Sequence, residues 1–245
     1  MSVRSTQEVL LISSRSPGKV RSTQEVLLIS IPFTPLGITY PISTPAIAGL
    51  GPQDFTMTEL NVVGETESPF TLGQQIQQWP GQILQAEFNL PPMLLAQAEQ
   101  WIGFLGSLFG KFGTFLMGDY NRSTPQGAMS GSPLVSGSNP NGLNVLNVRG
   151  ASISVSNWAV AGDYVQVTAA GGSQRIYKVL QNAASDGSGN VALQIFPNIR
   201  ETIADGVTVV TSNCKGTFRL QENSVVWKVD KDKVYTISFK AKEAI

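Results

Sequence analysis

The chain has 245 residues, 42% of them hydrophobic and only 14% charged, so it carries enough apolar surface for one large or two small folded domains and is no disordered tail. Its 17 Lys and Arg balance 17 Asp and Glu, which removes the net positive charge that drives nucleic-acid binding and leaves little repulsion between copies. The absence of histidine excludes Ser-His-Asp and Cys-His triads, His-ligated zinc and haem, and imidazole pH switches, while the single cysteine, Cys214, excludes an internal disulfide.

The stretch VRSTQEVLLIS occurs twice, at residues 3–13 and 20–30, around the turn-like segment SRSPGK. A repeat architecture needs three or more diverging units, so two identical copies read as a recent duplication or a start site taken too far upstream. Residues 1–30 are expected to be peripheral and poorly ordered. No apolar run approaches the roughly 18 residues of a membrane span, and residues 8–14 are too short for a signal-peptide core, which reads as a soluble protein made in a cytoplasm.

Pro32, Pro35, Pro41 and Pro45 with Gly37, Gly49 and Gly51 make residues 31–51 an extended arm without helix. Residues 55–70, FTMTELNVVGETESPF, alternate with period two and predict a half-buried strand ending at Ser68-Pro69. Residues 81–90 alternate likewise, Ile83, Gln85, Glu87 and Asn89 on one face and Leu84, Ala86, Phe88 and Leu90 on the other. A helix over about 91–109 follows, opened by Pro91-Pro92 and closed by Gly110, with Leu94, Ala98, Trp101, Ile102, Leu105, Leu108 and Phe109 on its apolar face. Residues 113–117 predict another strand.

Between 119 and 142 the Gly, Ser, Pro and Asn content predicts a linker or long loop. Residues 144–211 then read as the short strands of a small antiparallel barrel: VLNVRGASISV, DYVQVTA, RIYKVLQ, VALQIFP and VTVVTS. GTFRLQ, VVWKVD and VYTISFKAKEA close the chain around the turn Asp230-Lys231-Asp232. The predicted organisation is mainly β with one core helix. Residues 1–30 form the duplicated extension, residues 31–120 plus 214–245 a larger β domain carrying the helix, and residues 121–213 an inserted small β-barrel with its linker.

Few residues invite chemistry. The segment SDGSGN at 185–190 lacks the alternate ligands and terminal Glu of a calcium loop and predicts a hairpin turn. Asp230 and Asp232 flank Lys231 in a polar turn, which suits solvated charges better than a glycosidase pair. Asp163, after Gly162 at a strand entry, has its own backbone to bond, and Cys214 has no histidine to activate it. Trp101 and Trp227 sit in core-like patterns; Trp79 and Trp158 remain as candidate sugar-stacking platforms. The expected lists of catalytic, cofactor-binding and metal-binding residues are therefore empty.

The residues from Ser68-Pro69-Phe70-Thr71 through Trp79, Leu90-Pro91-Pro92-Met93, Glu99-Gln100-Trp101, Gly113-Thr114-Phe115 and Gly118-Asp119, together with AGDYVQV, QRIYKVLQNAASDGSGNVALQIFPNIR and ISFKAKEAI, resemble the distal tail and minor tail proteins of siphophage tail-tip baseplates. The resemblance covers residues 38–245. It implies a tail-tube-like β-sandwich or barrel domain bearing one helix, with an inserted small antiparallel β-barrel. It implies a homohexameric ring between the tail tube protein and the baseplate hub protein, located in the virion tail tip after assembly in the host cytoplasm. Function would then lie in interfaces, with no enzyme activity, no membrane and no sequence-specific nucleic-acid contact. The alternative is a tail-associated carbohydrate-binding, host-adhesion module, which exposure of Trp158 or Tyr164 would support. A cell-wall hydrolase would need a carboxylate pair in a cleft, and the sequence offers no persuasive one.

Overall fold

The computed structural model describes residues 37–47 and 51–245, so the readings of residues 1–30 fall outside the described residues. The elements in chain order are β1 (Ile42–Ser43), β2 (Asp54–Glu67), β3 (Gln74–Asn89), α1 (Leu95–Ser107), β4 (Phe115–Met117), β5 (Gly131–Val135), β6 (Val145–Ala151), β7 (Tyr164–Thr168), β8 (Gln174–Val179), β9 (Val191–Phe196), β10 (Gly216–Leu220), β11 (Val226–Val229) and β12 (Tyr235–Glu243). The described residues are mainly β, with one helix and a curled, half-barrel sheet.

The larger, seven-stranded sheet runs β1-β4-β10-β12-β3-β2, with β11 paired to the first half of β12. Its buried face is aromatic because the inward positions of β3, β4, β10 and β12 are Leu84, Ala86, Phe88, Phe115, Phe218, Phe239 and Ala241. α1 packs on that face. Trp101 and Phe104 meet Phe239 and Phe115 at 6.0 and 5.5 Å between ring centroids, and Phe88 stacks on Phe239 at 4.6 Å. Burying such aromatics contributes several kcal/mol each and fixes the helix to the sheet.

α1 is shorter than the predicted span of 91–109. Met93 exchanges both backbone hydrogen bonds with Tyr235, which holds it as a bridge to β12 and delays the helix until Leu95. At the other end Gly110 takes a φ of +67°, a left-handed stop that favours glycine. The apolar face differs correspondingly: Leu94 and Phe109, assigned to it from spacing, flank the helix and are exposed, while Phe104 is buried.

After Met117 the chain leaves the larger sheet, and it returns at Gly216, the residue paired directly with Met117 across β4 and β10. The intervening residues form the five-stranded sheet β5-β6-β9-β8-β7, antiparallel throughout. Thr208 bridges Leu134 of β5 and Val210 bridges Gln166 of β7, so this short segment ties the two edges of the curled sheet together. It was predicted as a full strand; it makes isolated bridges instead. Conversely β5 lies inside the stretch read as a linker: Pro133 still accepts a bond from Val209 through its carbonyl, and Leu134 and Val135 pair with β6. The smaller sheet encloses its own core around Trp158, Tyr177, Val165 and Leu193. Tyr164, Ile176 and Phe196 instead join the core of the larger sheet.

Candidate assembly surface

None of the residues considered for chemistry is brought into a reactive arrangement. Asp163 is buried and its carboxylate accepts backbone N–H bonds from Val160, Gln126 and Gly127 at 2.9, 2.6 and 2.9 Å, which clamps two distant segments together. Asp186 closes the turn before β9: bonds from the backbone N–H and side chain of Asn190, then from the N–H of Ser188, hold its carboxyl below the usual aspartate range. Asp230 accepts from the N–H groups of Asp232 and Val234 in the β11–β12 turn. The Cys214 thiol is buried and donates towards the carbonyls of Tyr164 and Val210; burial pushes its pKa up to about 12, far from a thiolate nucleophile.

Two tryptophan assignments are corrected. Trp158 is wholly buried and its indole N–H donates to the Ser130 carbonyl at 2.8 Å, so it is core and no sugar platform; Trp227, read as core, is 46% exposed on β11. Tyr164 is buried as well. Trp101 is in the core as expected, and Trp79 is exposed.

What stands out physically is the ribbon of β2 and β3. The two strands pair from Asp54↔Asn89 to Glu67↔Gln74, yet β12 supports β3 only between Gln85 and Asn89. Beyond Asn61↔Gln82 the ribbon runs on for roughly 20 Å at about 3.3 Å per residue, with no further strand beside it among the described residues. The alternation in residues 55–70 therefore does not mark a half-buried strand. Phe55 and Met57 are partly buried at the root, and every residue of β2 from Thr58 outward is exposed, with no second layer over it among the described residues. β3 likewise begins at Gln74, seven residues before the segment from which it was predicted.

This outer half carries Val62, Val63, Ile76 and Trp79 on the strands and Phe70 and Leu72 at the tip, all exposed, Phe70 at 94%. A break in register between Asn61 and Val63 bends the ribbon, and Gly81 sits at the bend, where a Cβ would come within 2.8 Å of Val62 Cγ2. No Lys or Arg occurs between residues 22 and 110, so the charges on the outer half, Glu65 and Glu67, are all negative. The free edge of β2 thus lacks the lysines and prolines that usually blunt such an edge against pairing.

The root of the ribbon is anchored. Glu59 pairs with Lys178 of β8 at 2.7 Å; the Gln82 carbonyl accepts from Arg200; the Gln82 side-chain oxygen accepts from the N–H of Asn198 at 2.7 Å. Arg200 also pairs with Glu243 at 2.9 Å, and Arg175 pairs with Glu201 and donates to the Ala244 carbonyl. Burial raises the Glu243 pKa, and Arg200 and then Arg175 draw it partly back. No group of His, Cys, Asp and Glu able to hold a metal occurs among the described residues.

No protein-family model matches the sequence, and no curated protein matches it.

Proposed function

We propose that this chain is a structural, non-catalytic ring subunit, the distal tail protein that joins the tail tube of a long-tailed bacteriophage to its baseplate hub. The observation that carries this reading is the β2–β3 ribbon, whose outer half exposes apolar side chains and a strand edge that carries neither lysine nor proline and is unpaired among the described residues. A monomer with such a surface is prone to associate, and a surface retained in that state has a use in association. The resemblance of residues 38–245 to siphophage distal tail proteins supplies the identity of the assembly: a homohexamer of tail-tube-like domains, with the smaller sheet as the inserted barrel, in the virion tail tip.

The carbohydrate-binding alternative loses support, because Trp158 and Tyr164 are buried and the smaller sheet exposes no tryptophan. Light scattering of the purified chain across concentrations, followed by negative-stain imaging, tests the proposal. Closed rings of six subunits are expected. A chain that remains monomeric, both alone and with tail tube and hub proteins present, would overturn it.

A further inference from the structure

Among the charges that make no ion pair in the described residues, two pairs of like sign stand close together on strands. Lys178 is matched by Glu59, Lys240 by Glu87, Arg149 by Asp205, and Arg175 and Arg200 by Glu201 and Glu243. On the outer ribbon Glu65 and Glu67 have no cation beside them among the described residues. They stand two residues apart on one face of β2, and Glu67 takes only a bond from the neutral Gln74 side chain at 3.0 Å. In the larger sheet Arg219 of β10 lies directly opposite Lys242 of β12. Like charges in that position destabilise a strand pair, and neither residue has an ion pair among the described residues.

Arg219 lines a cleft of about 350 Å³ with Tyr40, Thr114, Ser173 and Thr217. The one carboxylate side chain in its wall, Glu201, is already engaged by Arg175. Arg219 makes no ion pair among the described residues, and it shares the cleft with the hydroxyls of Thr114 and Ser173, donors that suit a carboxylate; Lys242 stands outside the cleft, opposite Arg219 on β12. Within one chain the two like-charged pairs cannot meet: β3 and β12 separate β2 from β10, and Glu65 and Glu67 lie on the half of the ribbon that has left the sheet.

We infer that the Arg219–Lys242 pair receives the Glu65–Glu67 pair of a second copy, so that the ribbon of each subunit docks on strands β10 and β12 of the next. The carboxylates are borne about 7 Å apart along a strand and the cations about 5 Å apart across one, a mismatch that long Arg and Lys side chains span. Each pair repels itself in the monomer, and docking relieves both repulsions together. Donor and acceptor surfaces differ, which makes the contact heterologous and able to close into a ring. The inference rests on the ring reading above and names the surface that meets the ribbon.

Charge exchange in the full-length chain tests it. E65K/E67K and R219E/K242E are each expected to need at least about tenfold more protein for half-assembly than the unmodified chain, whose own assembly weakens as salt is raised. Mixed in equal amounts, the two variants are expected to reassemble into alternating rings, and a chain carrying all four changes to assemble alone. That recovery also shows that neither variant had merely misfolded. If both variants assemble like the unmodified chain, or recovery fails while the unmodified chain forms rings, the acceptor assignment is overturned and the ring reading stands. If the unmodified chain forms no ring either alone or with tail tube and hub proteins present, the ring reading falls and the acceptor with it.

Discussion

At its root the β2–β3 ribbon packs Phe55 against Phe88 at 5.1 Å and draws in Met57, Leu84 and Ala86; past Asn61 the same two strands hold Val62, Val63, Ile76 and Trp79 in solvent. Residue type is similar at both ends. What differs is the second layer: α1 and the smaller sheet cover the root, and among the described residues none covers the outer half. A two-stranded ribbon alone is marginal in water, so the root must supply the stability and the outer half can be shaped for contact. Mutations at the two ends should accordingly separate folding from association.

The largest effect is expected under the root. Trp101→Ala removes the aromatic that joins α1 to Phe239 and should cost about 3–5 kcal/mol in urea unfolding. Trp101→Phe should cost much less, because the buried indole N–H has no hydrogen-bond partner to lose. A near-neutral Trp101→Ala would mean that the helix does not hold the sheet.

The ionic anchor comes next. Glu243→Ala leaves Arg200 without its buried partner and should destabilise by about 3 kcal/mol. Glu243→Gln, which keeps a polar acceptor, should do less and should change the response to pH. The folded-state pKa of Glu243 is raised, so the folded chain holds this proton more tightly than the unfolded one. The stability contributed by that proton is full below the ordinary glutamate pKa and is lost as pH rises through the raised value. Thermal melts between those limits should show a decline in the unmodified chain that Glu243→Gln flattens; equal slopes would assign the dependence to another group.

The smallest effect on folding, within about 0.5 kcal/mol, is expected for Val63→Ser and Ile76→Ser on the outer half, where no packing is lost. The same two changes should weaken association measured by light scattering. A large loss of stability with unchanged association would reverse the comparison.

Strand and helix identities were largely legible, because period-two runs such as residues 81–90 and the three- and four-residue spacing of Ala98, Trp101 and Leu105 report local geometry directly. Burial was less legible. Alternation in residues 55–70 is the same whether or not a layer lies over the strand, so the exposed ribbon was read as half-buried. Trp227, read as core, is exposed and Trp158, left open as a platform, is buried for the same reason: a tryptophan's neighbours come from distant strands. β5 was hidden by Gly131, Ser132 and Pro133, a composition of loops that an edge strand tolerates. The acidic, lysine-free character of residues 22–110 was visible in the sequence and pointed towards the ribbon's charge.

The direct pairing of Met117 with Gly216 has a consequence for inheritance. Paired residues on adjacent strands have Cα atoms about 5 Å apart, so whatever chain lies between them leaves and returns at nearly one point. Recombination there can exchange the whole intervening segment as a cassette while β4 and β10 keep their register. A lineage could thus diversify this part of the subunit, provided the newcomer offers apolar groups where Tyr164, Ile176 and Phe196 now meet the sheet and polar partners where Lys178, Asn198 and Arg200 now hold the root of the ribbon.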